Sequence, residues 1–145
     1  MSRRIYVAAP LSEVARAREA AGVVLQLGGM VASTWHEEVH RSGADKDPLD
    51  EVSRARVVAS LVRDLLRSDM LVALADQGRP RGTLVEVGYA LALSRPVLWL
   101  TPHEEAERCI FDAHPRVRRV SDWVGLVRGL EAAFRTLEPR GAEPP

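Results

Sequence analysis

Two short stretches of the 145-residue sequence contain ionisable residues at spacings typical of metal binding or catalysis. The first is H-E-E-V-H at positions 36–40, which matches the H-E-x-x-H pattern that places two imidazoles and a glutamate on one helical face around zinc. The pattern directly follows a predicted strand, however, and it meets Gly43 and Pro48 within a few residues. A third ligand at the usual spacing would fall on Lys46, which is the wrong residue type. We therefore interpret the segment as a polar loop that could close over a site, and we expect no metal.

The second stretch is T-L-V-E at positions 83–86, at the start of an otherwise apolar helix. Glu86 is the only charged residue between Leu84 and Ser94. Burial there raises the pKa of a carboxyl group, and the helix N-terminus partly offsets that cost. Such an isolated carboxylate indicates chemistry, but T-x-x-E is also the capping box in which Glu86 returns to the Thr83 amide. The residues alone leave both interpretations open.

Alternating strands and helices must position these residues. Apolar runs without alternation predict buried strands, and apolar residues at helical spacing predict helices. The pattern predicts strands at 5–9, 30–35, 69–75, 96–100 and 116–120, helices at 13–27, 50–68, 83–94 and 121–137, and a long loop at 36–50. We expect an α/β three-layer sandwich around a parallel sheet of about five strands, with helices on both faces.

Two of the predicted helices are apolar on more than one side. The predicted buried face of the helix at 50–68 consists of Val52, Ala55, Ala59, Val62 and Leu66. Val57 and Leu61 lie away from this face, and the helix at 83–94 has almost no polar face, so we predict that it is enclosed. Because one sheet face cannot cover so much apolar surface, we expect a homodimer or larger homo-oligomer. The alternative is that the closing helix and the segment 103–115 cover this surface within one chain.

Composition excludes several classes of protein. Twenty basic residues balance twenty acidic ones, so no net field draws the chain to a nucleic-acid polymer. The single Cys109 cannot form an internal disulfide, and no apolar run approaches the roughly 18 residues of a membrane span. We expect one cytoplasmic domain at 1–137, with no membrane association, and a flexible tail at 138–145.

The expected site lies beyond the carboxyl ends of the strands, where open α/β sheets bind ligands. The loops at 8–12, from 35 onward and at 76–82 should line it, and the first of them contributes Ala9, Pro10, Leu11 and Ser12. This loop lacks the glycines of a dinucleotide site, and the chain's only lysine does not lie in a Walker A phosphate loop. We therefore expect no cofactor.

Several motifs, in this order, resemble those of nucleoside 2-deoxyribosyltransferases and related nucleotide N-glycosidases. They are I-Y-V-A-A-P at 5–10, Asp64 in the long helix, G-T-x-x-E-x-G-x-A at 82–90 and R-P-V at 95–97. V-A-S-T-W at 31–35 and the segment 111–123 are similar to the small bacterial and phage members. The resemblance implies a flavodoxin-like (Rossmann-like) fold, a nucleoside or nucleotide substrate, no cofactor, and association of subunits beside the nucleophile.

The resemblance also implies roles for three residues. Glu86 would be the nucleophile that attacks C1′ of the sugar, where bond cleavage develops oxocarbenium character that a carboxylate stabilises and then captures covalently. Asp64 would protonate the departing base or orient the sugar hydroxyls, with an ion pair to Arg67 as its alternative. The Tyr6 hydroxyl would form a hydrogen bond with the nucleophile. The alternative is that Tyr6 is simply a half-buried aromatic residue of the strand.

One position departs from the family pattern. Six residues before the nucleophile, the transferases carry an Asp that binds the sugar and the monophosphate hydrolases a Ser that binds phosphate, whereas this chain has Pro80. Arg79 and Arg81 flank this position and could hold a 5′-phosphate or be solvated. The departure leaves nucleoside and nucleotide substrates both open.

The remaining substrate-binding candidates each have a plainer alternative. Trp35 could stack on a base or pack in the core, Asp76 could bind sugar hydroxyls or begin a turn, and Gly82 and Thr83 belong to the family motif. We predict cleavage or exchange of an N-glycosidic bond through a covalent glycosyl-enzyme. The alternatives are a nucleotide-binding or sensing module that has lost its chemistry, and a zinc hydrolase built on the histidines at 36 and 40.

Overall fold

The computed structural model describes residues 2–42, 50–77, 79–101 and 109–139. Within them the chain forms five strands and five α-helices in nearly regular alternation. The elements are β1 (Arg4–Ala8), α1 (Val14–Gln26), β2 (Met30–Val31), α2 (Trp35–Ser42), α3 (Glu51–Leu66), β3 (Met70–Leu74), α4 (Arg81–Ala92), β4 (Val97–Leu100), β5 (Val117–Val120) and α5 (Trp123–Thr136). Two 3-10 turns, Leu11–Glu13 and Ile110–Ala113, follow β1 and precede β5.

The strands form one parallel sheet in the order β2-β1-β3-β4-β5. The prediction of a flavodoxin-like α/β fold is thereby confirmed. In this order the chain leaves β1 in one direction to reach β2 and in the other to reach β3, so the strand order reverses beside β1. Open sheets of this kind bind ligands at that reversal, beyond the carboxyl ends of the strands.

The core lies on both faces of the three central strands. All residues of β3 and β4 and all but the first of β1 are buried, which explains why these segments are apolar without alternation. Helix α5 packs closely on β4, since a Cβ at Gly129 would lie only 2.7 Å from Leu98 Cδ1. Gly28 adopts a left-handed φ of 78° and ends α1, as the Gly28-Gly29 pair predicts.

The predicted loop at 36–50 is wrong in its first part, because residues 35–42 form α2. Trp35 and Val39, four residues apart, are both buried on one face of this helix. Glu37 and Glu38 lie in its first turn, where carboxylates favour a helix N-terminus. The polar composition concealed this short amphipathic pattern, and β2 is correspondingly shorter than the strand predicted at 30–35. The remainder of the predicted loop, 43–49, lies outside the described residues.

Helix α3 turns a different face inward from the one predicted. Val57 and Leu65 are buried together with Asp64, whereas Val52 and Leu66 of the predicted face are exposed. The helix has two apolar stripes, and the stripe that packs is the one that also carries the acidic side chain.

The prediction that the helix at 83–94 is enclosed is also wrong for the single chain. Helix α4 begins at Arg81, and Val85 and Tyr89 on its outer side are 59% and 49% exposed. No helix in the described parts of the chain combines the length and apolar character needed to cross a membrane. Residues 138 and 139 have no regular structure, and the rest of the predicted tail lies outside the described residues.

Candidate active site

A cavity of about 590 Å³ opens at the carboxyl ends of β1 and β3, where the strand order reverses. Its wall combines the segment after β1, the start of α2, one face of α3 and the first turns of α4. The lining residues are Ala9, Pro10, Leu11, Ser12, Trp35, Arg54, Val57, Val58, Leu61, Arg79, Gly82, Thr83 and Glu86. The loops expected from the topology of the sheet therefore do meet at one cavity.

Glu86 supplies the carboxylate of this wall. It lies in the second turn of α4, is nine-tenths buried, and accepts a hydrogen bond of 2.5 Å at Oε1 from the hydroxyl of the fully buried Tyr6 of β1. Burial raises the pKa of Glu86 to about 7, although the Tyr6 hydrogen bond lowers it. Burial, followed by the charge of Glu86, raises the pKa of Tyr6 above its ordinary value, so Tyr6 keeps its proton and remains the donor.

The capping-box interpretation of Thr83 and Glu86 is wrong. The N-cap position of α4 is Pro80, so Thr83 lies inside the first helical turn and cannot cap it. The Glu86 side chain bonds Tyr6 instead of a backbone amide. The Thr83 hydroxyl is buried in the cavity wall without a hydrogen-bond partner among the described residues. The Thr83 hydroxyl and one oxygen of Glu86 therefore keep hydrogen-bonding capacity that the described residues do not use.

Asp64 is buried on the inner face of α3, below the cavity wall but not part of it. Its Oδ2 accepts the backbone N–H of Thr34 at 3.0 Å and the Thr34 hydroxyl at 2.7 Å, and its Oδ1 accepts Nε of Arg63 at 3.3 Å. The predicted alternative partner, Arg67, is thus replaced by Arg63. Asp64 lies close enough to Tyr6 for its charge to act on that hydroxyl.

Two other predicted substrate-binding residues lie outside the cavity wall. Both carboxylate oxygens of Asp76 are bonded by Arg16, at 3.0 Å each. Arg81 is exposed at the start of α4, and Arg79 lines the cavity in its place. Of the two arginines beside Pro80, only Arg79 is therefore placed to contact a ligand in the cavity.

Trp35 is both a core residue and a wall residue. Its indole Nε1 donates to the Val7 carbonyl at 2.7 Å, its ring is almost fully buried, and one part of it faces the cavity. The hydrogen bond to β1 fixes the ring at the floor of the site. A planar ligand could contact only the part of the ring that is left open.

Four wall residues on α3 were not predicted as site residues, although Val57 and Leu61 were noted as apolar positions away from the predicted buried face. They are Arg54, Val57, Val58 and Leu61, at spacings that place them on one side of the helix. The signal that could have found them is Asp64, since positions 54, 57, 61 and 64 share a helical face. The sequence-based prediction buried the apolar stripe around Val62, which would leave the face with Asp64 pointing away from the expected site.

The H-E-x-x-H segment does lie on a helix, but its two histidines differ in environment. His36 is buried, with burial lowering its pKa, whereas His40 is exposed. His36 belongs to the wall of a second cavity, of about 640 Å³, beside α1 and β2. Within the residues that the structure describes, no three His, Cys, Asp or Glu side chains come together as a metal site.

The comparisons with known proteins agree with this geometry. Residues 5–119 match the nucleoside 2-deoxyribosyltransferase family over most of the chain, and the protein belongs to that family. It is thereby placed among enzymes that cleave or transfer the N-glycosidic bond of nucleosides or nucleotides. The resemblance drawn from the motifs is confirmed.

A solved structure with the same fold is the CMP N-glycosidase BcmB from Clostridium botulinum. It superposes with a TM-score of 0.61 at 14% sequence identity, and the match covers 90% of this chain and 98% of that one. A comparison with curated protein sequences gives no significant match.

Proposed function

We propose that this protein cleaves the N-glycosidic bond of a nucleoside 5′-monophosphate, with Glu86 as the nucleophile. The observation that carries the proposal is the Glu86 carboxylate, buried in a cavity wall and held by a single hydroxyl at one of its two oxygens. Oε1 accepts from Tyr6, and within the described residues Oε2 accepts no hydrogen bond. Oε2 is therefore the atom free to attack.

The reaction proceeds in two displacements. Glu86 Oε2 forms a bond to C1′ as the C1′–N bond breaks, and the electron pair of that bond leaves with the base, which takes up a proton from solvent water. Water, or a second base in a transfer reaction, then attacks C1′, gives up a proton to the solvent and releases the carboxylate. In the partly apolar wall a negative charge opposite C1′ stabilises the developing oxocarbenium ion more strongly than it would in water.

The raised pKa of Glu86 suits this role. At a pKa of about 7, a substantial fraction of the Glu86 carboxyl groups is ionised at neutral pH. Because this carboxylate is buried and poorly solvated, it is a more reactive nucleophile than an exposed one. Tyr6 fixes the plane of the carboxylate and keeps its ionised form accessible. We assign Asp64 to orientation of the site rather than to proton transfer, because Thr34 and Arg63 already occupy both of its oxygens.

The rim of the cavity favours a phosphorylated substrate. Arg54 and Arg79 both line the cavity, and Arg54 also lies close enough to Asp50 for its charge to act on that carboxylate. The first turn of α4 presents backbone N–H groups beside Gly82 and the unpartnered Thr83 hydroxyl, and helix N-termini bind phosphate. Two guanidinium groups and a helix N-terminus would thus bind the phosphate in place of the polar side chain that is absent at Pro80.

We also propose that the enzyme is a homodimer whose interface adjoins the cavity. Val85 and Tyr89 of α4 form an exposed apolar face, and Val58 of α3 is 56% exposed while lining the cavity. A second copy seated on these helices would bury this surface and close the outer side of the site.

The test is a chromatographic assay of base release from matched nucleosides and 5′-monophosphates, with and without an acceptor base. Wild-type protein should release free base from at least one monophosphate, and Glu86→Gln should lose about 1,000-fold or more in rate. Glu38→Gln, at an exposed position on α2, is the matched control. Saturable binding without release of base, or full activity of Glu86→Gln, would show that the proposal is wrong. Mass spectrometry of a quenched reaction should find a glycosyl adduct on the peptide that contains Glu86.

A further inference from the structure

We propose that Arg16 is a positioning residue that joins the two loops on either side of the cavity mouth. The β1 loop comprises residues 9–13, and the β3 loop comprises residues 75–77 and 79–80. Each loop contributes wall residues, Leu11 and Ser12 from the first and Arg79 from the second. The inference rests on the proposed function only in so far as one of its two measurements requires turnover.

The guanidinium of Arg16 contacts both loops at once. Nη1 and Nη2 each donate to a different oxygen of Asp76, both at 3.0 Å, and Nη1 also lies 3.3 Å from Glu13 Oε2. Glu13 is the last residue of the 3-10 turn that carries Leu11 and Ser12. A planar fork fits this bidentate arrangement, which a lysine ammonium cannot reproduce.

The Arg16 side chain is itself held in place. Its guanidinium carbon lies 5.9 Å from the centre of the Trp123 ring at the start of α5. The side chains of Arg16 and Asp76 are only 21% and 13% exposed, whereas those of the Arg18–Glu37 pair on neighbouring helices are 40% and 50% exposed. Solvent therefore screens the Arg16 contacts much less than those of an ordinary surface pair.

This arrangement changes the interpretation of Asp76. A carboxylate after the third strand could bind sugar hydroxyls, but here both of its oxygens are occupied by one guanidinium. Asp76 then acts through Arg16, by fixing the start of the loop that leads to Arg79 three residues later. Arg16 thereby fixes the width of the cavity mouth. The β1 loop and the β3 loop are not paired as strands, so this side chain is what holds them together.

The kinetic measurement compares Arg16→Ala, Asp76→Ala, the double variant and Arg18→Ala at a temperature below all of their melting transitions. Displaced wall residues weaken substrate binding, so Arg16→Ala should raise KM about tenfold and lower kcat less than about threefold. The double variant should be no worse than Arg16→Ala, and Arg18→Ala should stay within about twofold of wild type. Arg16→Lys and Asp76→Asn alter the side chains less, so each should raise KM by less than the corresponding alanine variant does.

Three results would overturn the proposal. A loss of kcat with unchanged KM would mean that Arg16 only maintains the folded fraction. Additive losses in the double variant would mean that Asp76 contacts substrate directly, and unchanged kinetics in Arg16→Ala would mean that the loops do not need the contact.

Hydrogen exchange supplies a measurement that needs no turnover. Arg16→Ala should accelerate amide exchange in peptides from both the β1 loop and the β3 loop, while Arg18→Ala leaves both unchanged. Acceleration in neither loop, or in one alone, contradicts the proposal. If wild-type protein released no base, the proposed function would fail, and the exchange rates would still decide whether Arg16 joins the two loops.

Discussion

The Tyr6 hydroxyl lies 2.5 Å from Glu86 Oε1, although the two residues are 80 positions apart in the sequence. The bond joins the central strand β1 to helix α4 at the floor of the cavity. Because Tyr6 keeps its proton, the phenol is the donor of this bond whenever Glu86 is ionised. The orientation of the nucleophile therefore depends on the position of a strand far from it in the chain.

Replacing Tyr6 by Phe should move the acidic limb of the pH profile to higher pH. The Tyr6 hydrogen bond lowers the pKa of Glu86, so its removal raises that pKa above about 7. The logarithm of kcat/KM against pH measures this limb for the free enzyme. Tyr89→Phe, at the chain's other tyrosine, is the control and should leave the limb in place. An unmoved limb in Tyr6→Phe would contradict Glu86 as the ionising group.

Replacing Glu86 by Gln should stabilise the protein at pH 8 and not at pH 5. The folded-state pKa of about 7 lies above the ordinary value of 4.5, so the folded protein loses stability as pH rises between these values. At about 1.4 kcal/mol per pKa unit, the ionised carboxylate costs roughly 3 kcal/mol, which the neutral amide avoids. Thermal melts at both pH values measure this difference, with Glu38→Gln as the exposed control. Equal effects of Glu86→Gln at the two pH values would contradict the raised pKa.

Removing Arg54 and Arg79 should affect monophosphates and not nucleosides. A hydrogen bond to a charged group contributes about 1.5–3 kcal/mol, so each Arg→Ala substitution should raise KM for a monophosphate about 10-fold or more. KM for the matching nucleoside should stay within about twofold, measured by the same base-release assay. Arg81→Ala, which removes an exposed guanidinium outside the cavity wall, is the control. A parallel rise in KM for both substrates would argue against a phosphate site at the rim.

Placing a charge on the outer face of α4 should separate the subunits. Val85→Glu would bury a carboxylate in the proposed interface, and sedimentation at micromolar concentration should then show a 16.0 kDa monomer where wild type shows a dimer. Leu25→Glu, at an equally exposed position on α1, is the control and should remain dimeric. A monomeric wild-type protein would refute the interface directly.

The central strands and the candidate nucleophile could be predicted from the sequence because their signals are local. A strand buried on both faces is apolar at every position, as in β3, and an isolated carboxylate in an apolar helix is conspicuous, as at Glu86. The parallel sheet with helices on both faces could be predicted as well, because strands alternate with helices along the chain.

The orientation of α3 and the existence of α2 could not be predicted in the same way. Two apolar stripes on α3 offer similar area to the core, and the choice between them depends on what packs opposite, here Thr34 and Tyr6 around Asp64. Helix α2 has only eight residues, and its buried face rests on contacts to β1 such as the Trp35 indole bond. Partner choice is likewise non-local, so Asp76 could be recognised as a polar residue in a loop but not as the partner of Arg16.

The position of β1 inside the sheet, between β2 and β3, has a consequence for how the chain folds. Its neighbours are β2 and β3, and Ile5 pairs with Met70, so a segment of about 65 residues must close before the central pairing forms. Such long-range closure slows folding, because chain entropy is lost before the contacts that compensate for it are made. During synthesis the apolar segment of β1 emerges before β3 and stays without its main partner until β3 follows. We therefore expect premature chain ends before residue 70 to yield aggregating products, and native structure to arise only after the ribosome has passed β3.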